Sequence, residues 1–357
     1  MDQTKGNLDS LNGRLDTLGL HRTEQSNKLY SNVTEKLYGE GSCKDSIRKR
    51  PRKKFITQKL VLALIDVAKE NGDIEWIQRY WNTWHCQNEL TTHNGRGYGY
   101  FCKNRYCLVC VSIRKADMIN RYLPIINTWS QPHFLTLTVK SQKRWNLVKW
   151  MEGMKKAMTL ILDRCRKRHQ RGKGPKLIGM YSLECNFNPI DKWYNPHFHI
   201  LTENREIANI IKREWCELWN RGPKVMALPY LQTIRKVKET EKDIIETIKY
   251  GAKIFTDPEM KKKKGNTKKK DHKIYAAGLH EIYKAMDGRH LFRKFGFKLS
   301  QSGNKAPKEE YATDYQKWVY DPKLADYVNS ETGQIMTNYI PNGELDLIIN
   351  NIDTDLN

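Results

Sequence analysis

A histidine pair with strand spacing is the first feature of this sequence that could perform chemistry. His197 and His199 lie one residue apart in the segment YNPHFHILTEN, which has the pattern of a β-strand. Because side chains alternate between the two faces of a strand, both imidazoles point to the same side, together with Leu201. Two imidazoles on one face could bind a single metal ion. A His-hydrophobe-His triplet also arises by chance, so ordinary half-exposed strand histidines are the alternative.

A cluster of cysteines is the second such feature. The segment 85–110 contains them in the order Cys86, Cys102, Cys107 and Cys110. The last two form a Cys-x-x-Cys knuckle, and the two upstream thiolates would complete a tetrahedral sulfur site for zinc. Such a closed site has no position for water, so its role would be structural, pinning an N-terminal module to a helix that begins near Ser112. His85 or His93 could replace Cys86, and four small buried hydrophobes are the alternative to zinc.

A tyrosine on an amphipathic segment could supply a nucleophile. In ETEKDIIETIKYGAKIF, residues 239–255, helical spacing places Glu246, Tyr250 and Lys253 in a narrow arc opposite the apolar stripe. A phenol is a poor nucleophile near neutral pH, but a neighbouring cation lowers the cost of phenolate attack. Lys253 is placed to hold such an anion, and Glu246 could accept a proton from the phenol or from a later water. An ordinary exposed helix face is the alternative.

The elements that must position these residues alternate between strand and helix patterns. Residues 56–84 have helical spacing, and HFLTLTVK (133–140) alternates apolar residues with threonines, as a half-buried strand does. Further candidates follow in the order helix 145–170, strand 176–187, strand 196–202, helix 205–220 and a strand within 224–237. This order predicts an α+β fold with a central antiparallel sheet of about five strands flanked by helices.

The charge of the chain indicates a polyanionic partner. Lys and Arg number 63 against 40 Asp and Glu among 357 residues, a net charge of +23. A surplus this large favours nucleic acid as the partner, and a basic protein without a specific anion is the alternative. The basic segments 164–176 and 261–273 are candidate phosphate contacts, and Trp145, Trp150 and Trp193 are candidates for base stacking, with core packing as the other role of a tryptophan.

Neither a membrane span nor a signal peptide is predicted. No stretch approaches the roughly 18 apolar residues that a spanning helix needs. The segment MDQTKGNLDS at residues 1–10 has no apolar core. We therefore expect a cytoplasmic protein whose thiols stay reduced.

Taken together, these residues resemble a known pattern. From about residue 80 to 300 the chain is similar to the rolling-circle replication initiators of small plasmids, the Rep type within the HUH endonuclease superfamily. The motifs occur in the family's order: the FCKNRYCLVC knuckle, the FLTLTVK strand, GMYSLECNFNP leading into NPHFHIL, IKYGAK as a Tyr-x-x-Lys motif, and EIYKAMDGRHLFRKFGFKL. The family often has His-Pro-His-x-His where this chain has Asn195, which removes an auxiliary histidine and keeps the pair.

The resemblance implies roles for these residues. His197 and His199 match the metal-binding histidines, Tyr250 the nucleophile and Lys253 the motif lysine. Two histidines rarely complete a site for a hard divalent ion, so we expect Glu184 on the preceding strand to be a third ligand if the strands pair as a hairpin. Mg²⁺ or Mn²⁺ would polarise the scissile phosphate, and tyrosine attack would form a 5′-phosphotyrosine and a 3′-hydroxyl that primes synthesis.

Ending a replication cycle requires a second cut, and the motif contains one tyrosine. We hypothesise that Glu246 activates a water for that step. The expected partners are origin DNA, single-stranded at the nick and double-stranded where it is recognised, a host helicase and polymerase, and a second copy of the chain on DNA. An HUH transposase or relaxase with the same chemistry is an alternative. A non-catalytic zinc-containing DNA-binding regulator is another.

Composition and motifs divide the chain into segments. They are a disordered basic arm (1–54), a helical module with the cysteine zinc site (55–130), the HUH nicking domain (131–256), a lysine-rich linker or loop (257–273) and a C-terminal helical segment with an acidic tail (274–357). The arm ends in the basic run KDSIRKRPRKK, which has neither helical nor strand periodicity. It could contact phosphates or remain a solvated tail.

Overall fold

The computed structural model describes residues 47, 49–93, 96–238, 240, 247, 272–299 and 315–337. The helices in this part are α1 (Arg50–Glu70), α2 (Ile74–Trp84), α3 (Leu108–Ile126), α4 (Leu147–Gln170), α5 (Arg205–Trp219) and α6 (His272–Met286). The strands are β1 (Glu89–His93), β2 (Arg96–Gly99), β3 (His133–Thr138), β4 (Gly179–Asn188), β5 (Trp193–Thr202), β6 (Thr233–Lys236), β7 (Phe292–Phe295), β8 (Gln316–Asp321) and β9 (Asp326–Asn329). Among these helices, none is long and apolar enough to cross a bilayer.

A five-stranded antiparallel sheet forms the centre of the described chain. Its strand order is β6-β3-β5-β4-β7. The two longest strands, β4 and β5, form a hairpin in which Glu184 pairs with His197, and β3 pairs Thr136 with His199. The α+β class and the antiparallel sheet flanked by helices are therefore confirmed.

One face of this sheet is covered by helices because its side chains are apolar. Phe198 and Ile200 of β5 belong to the main core, which also contains buried residues of α4, α5 and α6. Trp215 of α5 is fully buried, packs edge-on against Phe198 at 5.7 Å between ring centroids, and donates its indole N–H to the carbonyl of Thr138 at 3.1 Å. Leu201 belongs instead to the hydrophobic cluster on the opposite face of the sheet. The predicted alternation of side chains along β5 is therefore confirmed.

The opposite face of the sheet is only partly covered. Helix α3 packs Met118, Tyr122 and Ile126 against an apolar end of this face, where Phe134 and Leu201 lie. Beyond this apolar end, the same face carries the polar residues of β3, β4 and β5. The fold therefore buries one end of the face and presents the other end as a candidate site.

The N-terminal helix begins earlier than the sequence pattern predicts. Residues 50–54 were assigned to the disordered basic arm, but α1 starts at Arg50, with Pro51 in its first turn, where proline is favoured. Lys54 is 1% exposed because its ammonium is held inside the protein. Basic residues that find internal acceptors add nothing to an apolar periodicity. The sequence pattern therefore placed the boundary between the arm and the first helix a few residues too late. Gly72, at φ +70°, then separates α1 from α2.

The segment after residue 274 is not wholly helical. Helix α6 is followed by β7, the edge strand of the central sheet, and by β8 and β9, which join β1 and β2 in a four-stranded sheet of order β2-β1-β8-β9. Leu90 pairs with Trp318 in this sheet. These strands are short and their partners lie far away in the sequence, so local periodicity could not reveal them. Similarly, the strand predicted within 224–237 is limited to β6.

Candidate metal centres

Glu184, His197 and His199 lie together on the polar part of the sheet face. The carboxylate oxygen Oε2 of Glu184 is 3.9 Å from His197 Nε2 and 3.7 Å from His199 Nε2. The two imidazole centroids are 4.8 Å apart and the rings are steeply inclined, at 79°. The three side chains are buried. Two imidazole nitrogens and one carboxylate oxygen therefore converge on one point.

The second nitrogen of each imidazole is held by the protein. His197 Nδ1 lies 2.9 Å from the carbonyl oxygen of Asn195, which can only accept a hydrogen bond. Nδ1 therefore carries a proton, and Nε2 of the neutral ring bears the lone pair. His199 Nδ1 lies 3.4 Å from the hydroxyl of Thr136. Metal-binding histidines commonly engage their second nitrogen in this way.

The spacing of the donor atoms suits a divalent ion. One ligand atom from each of the three residues lies within 4.8 Å of the others. An ion bonded to oxygen and nitrogen at about 2.1 Å in octahedral geometry holds adjacent ligands about 3 Å apart. Glu184 Oε2 would need to approach each of the two Nε2 atoms by less than about 1 Å to reach that spacing. The donor set could therefore hold a divalent cation.

A cavity of about 660 Å³ opens beside the triad. Both His197 and His199 reach its wall, so the site faces a space large enough for a substrate group. The rest of the wall is polar on the sheet side and apolar on the side of the segment before β6; its residues include Thr138, Lys140, Asn195, Val225, Leu228 and Leu231. An ion at the triad would therefore be accessible to an anionic ligand.

Sequence reasoning missed the polar residues of β3 around the triad. Thr138 donates its hydroxyl hydrogen to the side-chain oxygen of Asn195 at 2.9 Å, and Thr136 contacts His199. The threonine alternation in FLTLTVK was visible, but the pairing of β3 with β5 was not. Asn195, which stands where the family often has a histidine, positions His197 through its backbone carbonyl.

The four predicted cysteines form a second candidate metal centre. Their sulfur atoms lie within 4.8 Å of one another. The Cys86–Cys110 and Cys86–Cys107 sulfur separations are 3.6 Å, and the Cys102–Cys110 separation is 3.7 Å. Tetrahedral coordination with metal–sulfur bonds of about 2.3 Å places sulfur atoms about 3.8 Å apart. Cys86, and not His85 or His93, therefore completes the group with the geometry of a four-thiolate site.

Backbone and side-chain donors surround this cysteine group. The amides of Cys102 and Lys103 lie 3.4 and 3.3 Å from the sulfur atoms of Cys86 and Cys110. Lys54 donates from its ammonium to the carbonyl oxygens of Trp84 and Cys86 and, at 2.7 Å, to the side-chain oxygen of Asn88. All three of these acceptors are neutral. The charge that compensates this buried cation must therefore come from elsewhere, and the adjacent thiolates are suitably placed.

Burial and charge alter the ionisation of these groups. Burial lowers the pKa of Lys54 to about 8, and the neighbouring thiols oppose that shift. Burial disfavours the thiolate of Cys102, but hydrogen bonds with the other three cysteines outweigh burial and hold its pKa well below the ordinary value. The cluster thus favours a thiolate next to a buried ammonium.

Of the remaining predicted residues, some lie outside the described part of the chain, and the three candidate tryptophans lie within it. Glu246, Tyr250 and Lys253 lie outside the described residues, as does most of the basic segment 261–273. Trp150 packs against the main core and stacks on Trp219 at 5.0 Å between centroids, so its role is structural. The other two candidate tryptophans are more accessible: Trp145 is 78% exposed and Trp193 is 36% exposed.

Comparison with known proteins places these sites in a family context. The family model described as "Replication protein" matches residues 97–339, more than half of the chain. "Protein rep" of Streptococcus pneumoniae serotype 2 (strain D39 / NCTC 7466) is 31% identical over 230 residues, which cover 58% of this chain and 70% of that protein. "Protein rep" of Staphylococcus aureus is 26% identical over 165 residues, covering 43% of this chain and 69% of that protein.

No solved structure gives a significant match. The family match spans the cysteine knuckle from Cys102 onward, the Glu184–His197–His199 group and the central sheet. It also agrees with the resemblance that the motif order indicates. The chain therefore belongs to the replication protein family and is a plasmid rolling-circle replication initiator by family.

Proposed function

We propose that this protein nicks one strand of a plasmid origin by metal-assisted attack of a tyrosine and thereby starts rolling-circle replication. The observation that carries the proposal is the convergence of Glu184, His197 and His199 beside an open cavity in a member of the replication protein family. The five-stranded antiparallel sheet is consistent with an HUH endonuclease fold, which is part of the proposal. The substrate is single-stranded DNA at the nick.

The triad would bind Mg²⁺ or Mn²⁺, which as a Lewis acid would polarise the scissile phosphate. His197 and His199 would each offer Nε2 as a ligand, and their Nδ1 atoms contact the Asn195 carbonyl and the Thr136 hydroxyl. Glu184 supplies the negative charge that a hard cation requires. The protein's own contribution is therefore a preorganised set of ligands on two paired strands.

Tyr250 is the proposed nucleophile. Its phenolate oxygen forms a bond to the phosphorus of the scissile phosphodiester, and the bond to the 3′ oxygen breaks. The leaving 3′ oxygen takes up a proton, so the products are a 5′-phosphotyrosine and a free 3′-hydroxyl that can prime synthesis. Lys253 would stabilise the phenolate and the charged phosphate. Because the ester bond is exchanged and not hydrolysed, rejoining needs no nucleotide cofactor.

Glu246 should matter for the second cut and not for the first. We expect Glu246→Gln to leave the rate of the initial nick within about twofold of wild type and to slow termination about 10²-fold, because general-base activation of water is lost. Single-turnover nicking and release of closed circles can be measured on the same plasmid. Glu241→Gln, which changes an acid in the same segment, is the control. Normal termination by Glu246→Gln would remove Glu246 from this role.

We propose that the cysteine group binds zinc and has a structural role. Four thiolates close the coordination shell, so no position is open for water or substrate. Arg105, between the cysteines, donates at 2.9 Å to the carbonyl of Met286 and at 2.5 Å to that of Arg289. Met286 is the last residue of α6, and Arg289 lies in the connection between α6 and β7. Metal binding would thus hold the knuckle against the segment that leads into the central sheet.

Lys54 should strengthen metal binding at this centre. A zinc ion bound by four thiolates carries a net negative charge, and the buried ammonium compensates that charge. We expect Lys54→Met to weaken zinc binding about 10- to 100-fold, the usual cost of losing an outer-shell partner. The zinc affinity is measured by competition with a chelator and analysis of the zinc that stays bound to the protein. Lys69→Met, at an exposed position of the same helix, is the control; equal zinc affinity of the two variants would contradict this role.

The remaining partners follow from the proposed reaction. Duplex DNA would be recognised by the cysteine module and the basic segments 164–176 and 261–273, with binding that falls steeply with salt. A host helicase and polymerase would extend the 3′-hydroxyl, and two copies of the chain would occupy the origin. A cytoplasmic location is part of the same proposal.

Incubation with supercoiled plasmid DNA that carries the origin tests the function. We expect conversion to open circles with Mn²⁺ and none with excess chelator. A non-catalytic zinc-containing regulator would bind the same DNA and leave it supercoiled. A transposase or relaxase of the same superfamily would nick, but the 3′-hydroxyl would not support synthesis from this origin.

A further inference from the structure

An exposed tryptophan lies on the same sheet face as the proposed metal site. Trp193 begins β5, and two-residue alternation puts it on the face of Asn195 and His197. Its neighbour Tyr194 belongs to the core on the helix side, which agrees with this alternation. Four positions separate Trp193 from His197, about 13 Å along a strand. Trp193 therefore lies on the sheet face that carries the proposed metal site, at the end where β4 and β5 form their hairpin.

A lysine accompanies this tryptophan. The ammonium of Lys143 is 4.1 Å from the centroid of the Trp193 ring and donates to the carbonyl of Asp191 at 3.0 Å. Backbone hydrogen bonds of 2.7 and 2.8 Å between Gln142 and Tyr194 fix the position of the segment that carries Lys143. Upstream residues of the same segment, Lys140 and Ser141, line the cavity beside the histidines. The aromatic and cationic pair is thus continuous with the candidate site.

The pair has the chemistry of a single-stranded nucleic-acid contact. Trp193 is 36% exposed and belongs to none of the core clusters in the described part of the chain. Base stacking on an aromatic ring tolerates any sequence, and an adjacent ammonium complements the phosphate next to the stacked base. A base in a duplex is stacked on both sides and cannot use such a ring. The arrangement therefore favours unpaired DNA over duplex.

We propose that Trp193 and Lys143 form a stacking platform for an unpaired base that flanks the scissile phosphate. Trp193 holds the base and Lys143 contacts a neighbouring phosphate. The position of the platform relative to the nick rests on the proposed function, but its binding of single strands can be measured without cleavage. The platform would keep the strand extended across the sheet between the hairpin end and the metal ligands.

The test is equilibrium binding of fluorescein-labelled oligothymidylate of about 15 nucleotides, a length within the range of single-strand binding sites. Mg²⁺ and Mn²⁺ are omitted throughout, so nicking cannot contribute and the proposed zinc centre is not stripped by a chelator. A strand of the same length with abasic residues measures the backbone contribution alone. We expect Trp193→Ala to weaken oligothymidylate binding about 5- to 100-fold and to abolish the preference over the abasic strand. Trp193→Phe should restore part of that preference.

Two further variants make the outcome specific. Lys143→Gln should weaken binding of both strands equally and reduce the salt dependence by about one phosphate contact. Trp145→Ala is the matched control, because Trp145 is more exposed and its neighbour Arg144 pairs with Glu281 of α6, on the helix side, at 2.8 Å. We expect this control to bind like wild type.

Some results would overturn the platform. Equal binding by Trp193→Ala and Trp145→Ala would do so, and so would an unchanged preference for oligothymidylate over the abasic strand in Trp193→Ala. Absence of nicking with a Trp193-dependent base preference would refute the proposed function and leave the platform in place.

Discussion

The double substitution His197→Ala and His199→Ala is expected to reduce metal-dependent nicking about 10³-fold or more. Both proposed nitrogen ligands are lost, and the metal's contribution to charge stabilisation is several kcal/mol, with each 1.36 kcal/mol worth a factor of ten. Conversion of supercoiled plasmid to open circles over a range of Mn²⁺ concentrations measures the loss. Electron paramagnetic resonance measures Mn²⁺ binding, and this binding should disappear in the same variant.

His133→Ala is the matched control for these histidines. His133 is also buried in the central sheet, on the neighbouring strand β3, but alternation places it on the other face, away from Glu184. We expect this variant to keep Mn²⁺ binding. Wild-type nicking by the double variant, with intact Mn²⁺ affinity, would show that the metal binds elsewhere.

Tyr250→Phe should eliminate the covalent protein–DNA adduct and lower nicking about 10³-fold or more. Phenylalanine preserves the ring but has no oxygen with which to form the phosphotyrosine, and loss of a nucleophile commonly removes most catalytic rate. Denaturing gel electrophoresis of the protein after incubation with labelled origin DNA detects the adduct. DNA binding under chelating conditions should be unchanged.

Tyr315→Phe provides the control for this substitution. Tyr315 is 43% exposed and lies immediately before β8, next to His93 in the four-stranded sheet. It should form the adduct at the wild-type rate. An adduct that persists in Tyr250→Phe would identify a different nucleophile and would leave the histidine–glutamate site without its proposed partner.

The candidate site was accessible to sequence reasoning where local geometry determines it. The two-residue spacing of His197 and His199 necessarily puts them on one face of a strand, and a short connection makes β4 and β5 a hairpin. That hairpin brought Glu184 opposite His197, as expected. Thr136 and Thr138 escaped notice because their place beside the histidines depends on a pairing between strands separated by helix α4.

The cysteine centre could also be predicted from local sequence spacing only in part, because some of its contacts join residues that lie far apart in the sequence. The Cys-x-x-Cys spacing pointed to Cys107 and Cys110, and the structure places the sulfur atoms of Cys86 and Cys102 beside them, but sequence could not choose Cys86 over a nearby histidine. Lys54 was assigned to the disordered basic arm because the run KDSIRKRPRKK has neither helical nor strand periodicity. Its burial depends on carbonyl oxygens from the turn after α2, which no local pattern encodes.

Peptide mass spectrometry of the protein–DNA adduct tests the central claim most directly. Wild-type protein is incubated with origin DNA in Mn²⁺ or in chelator and then digested, and the modified peptide is sequenced. We predict a nucleotide on Tyr250 in Mn²⁺, with no adduct in chelator or in the His197→Ala, His199→Ala variant. A nucleotide on another residue, or equal labelling of Tyr250 without the metal and the histidines, would contradict the account.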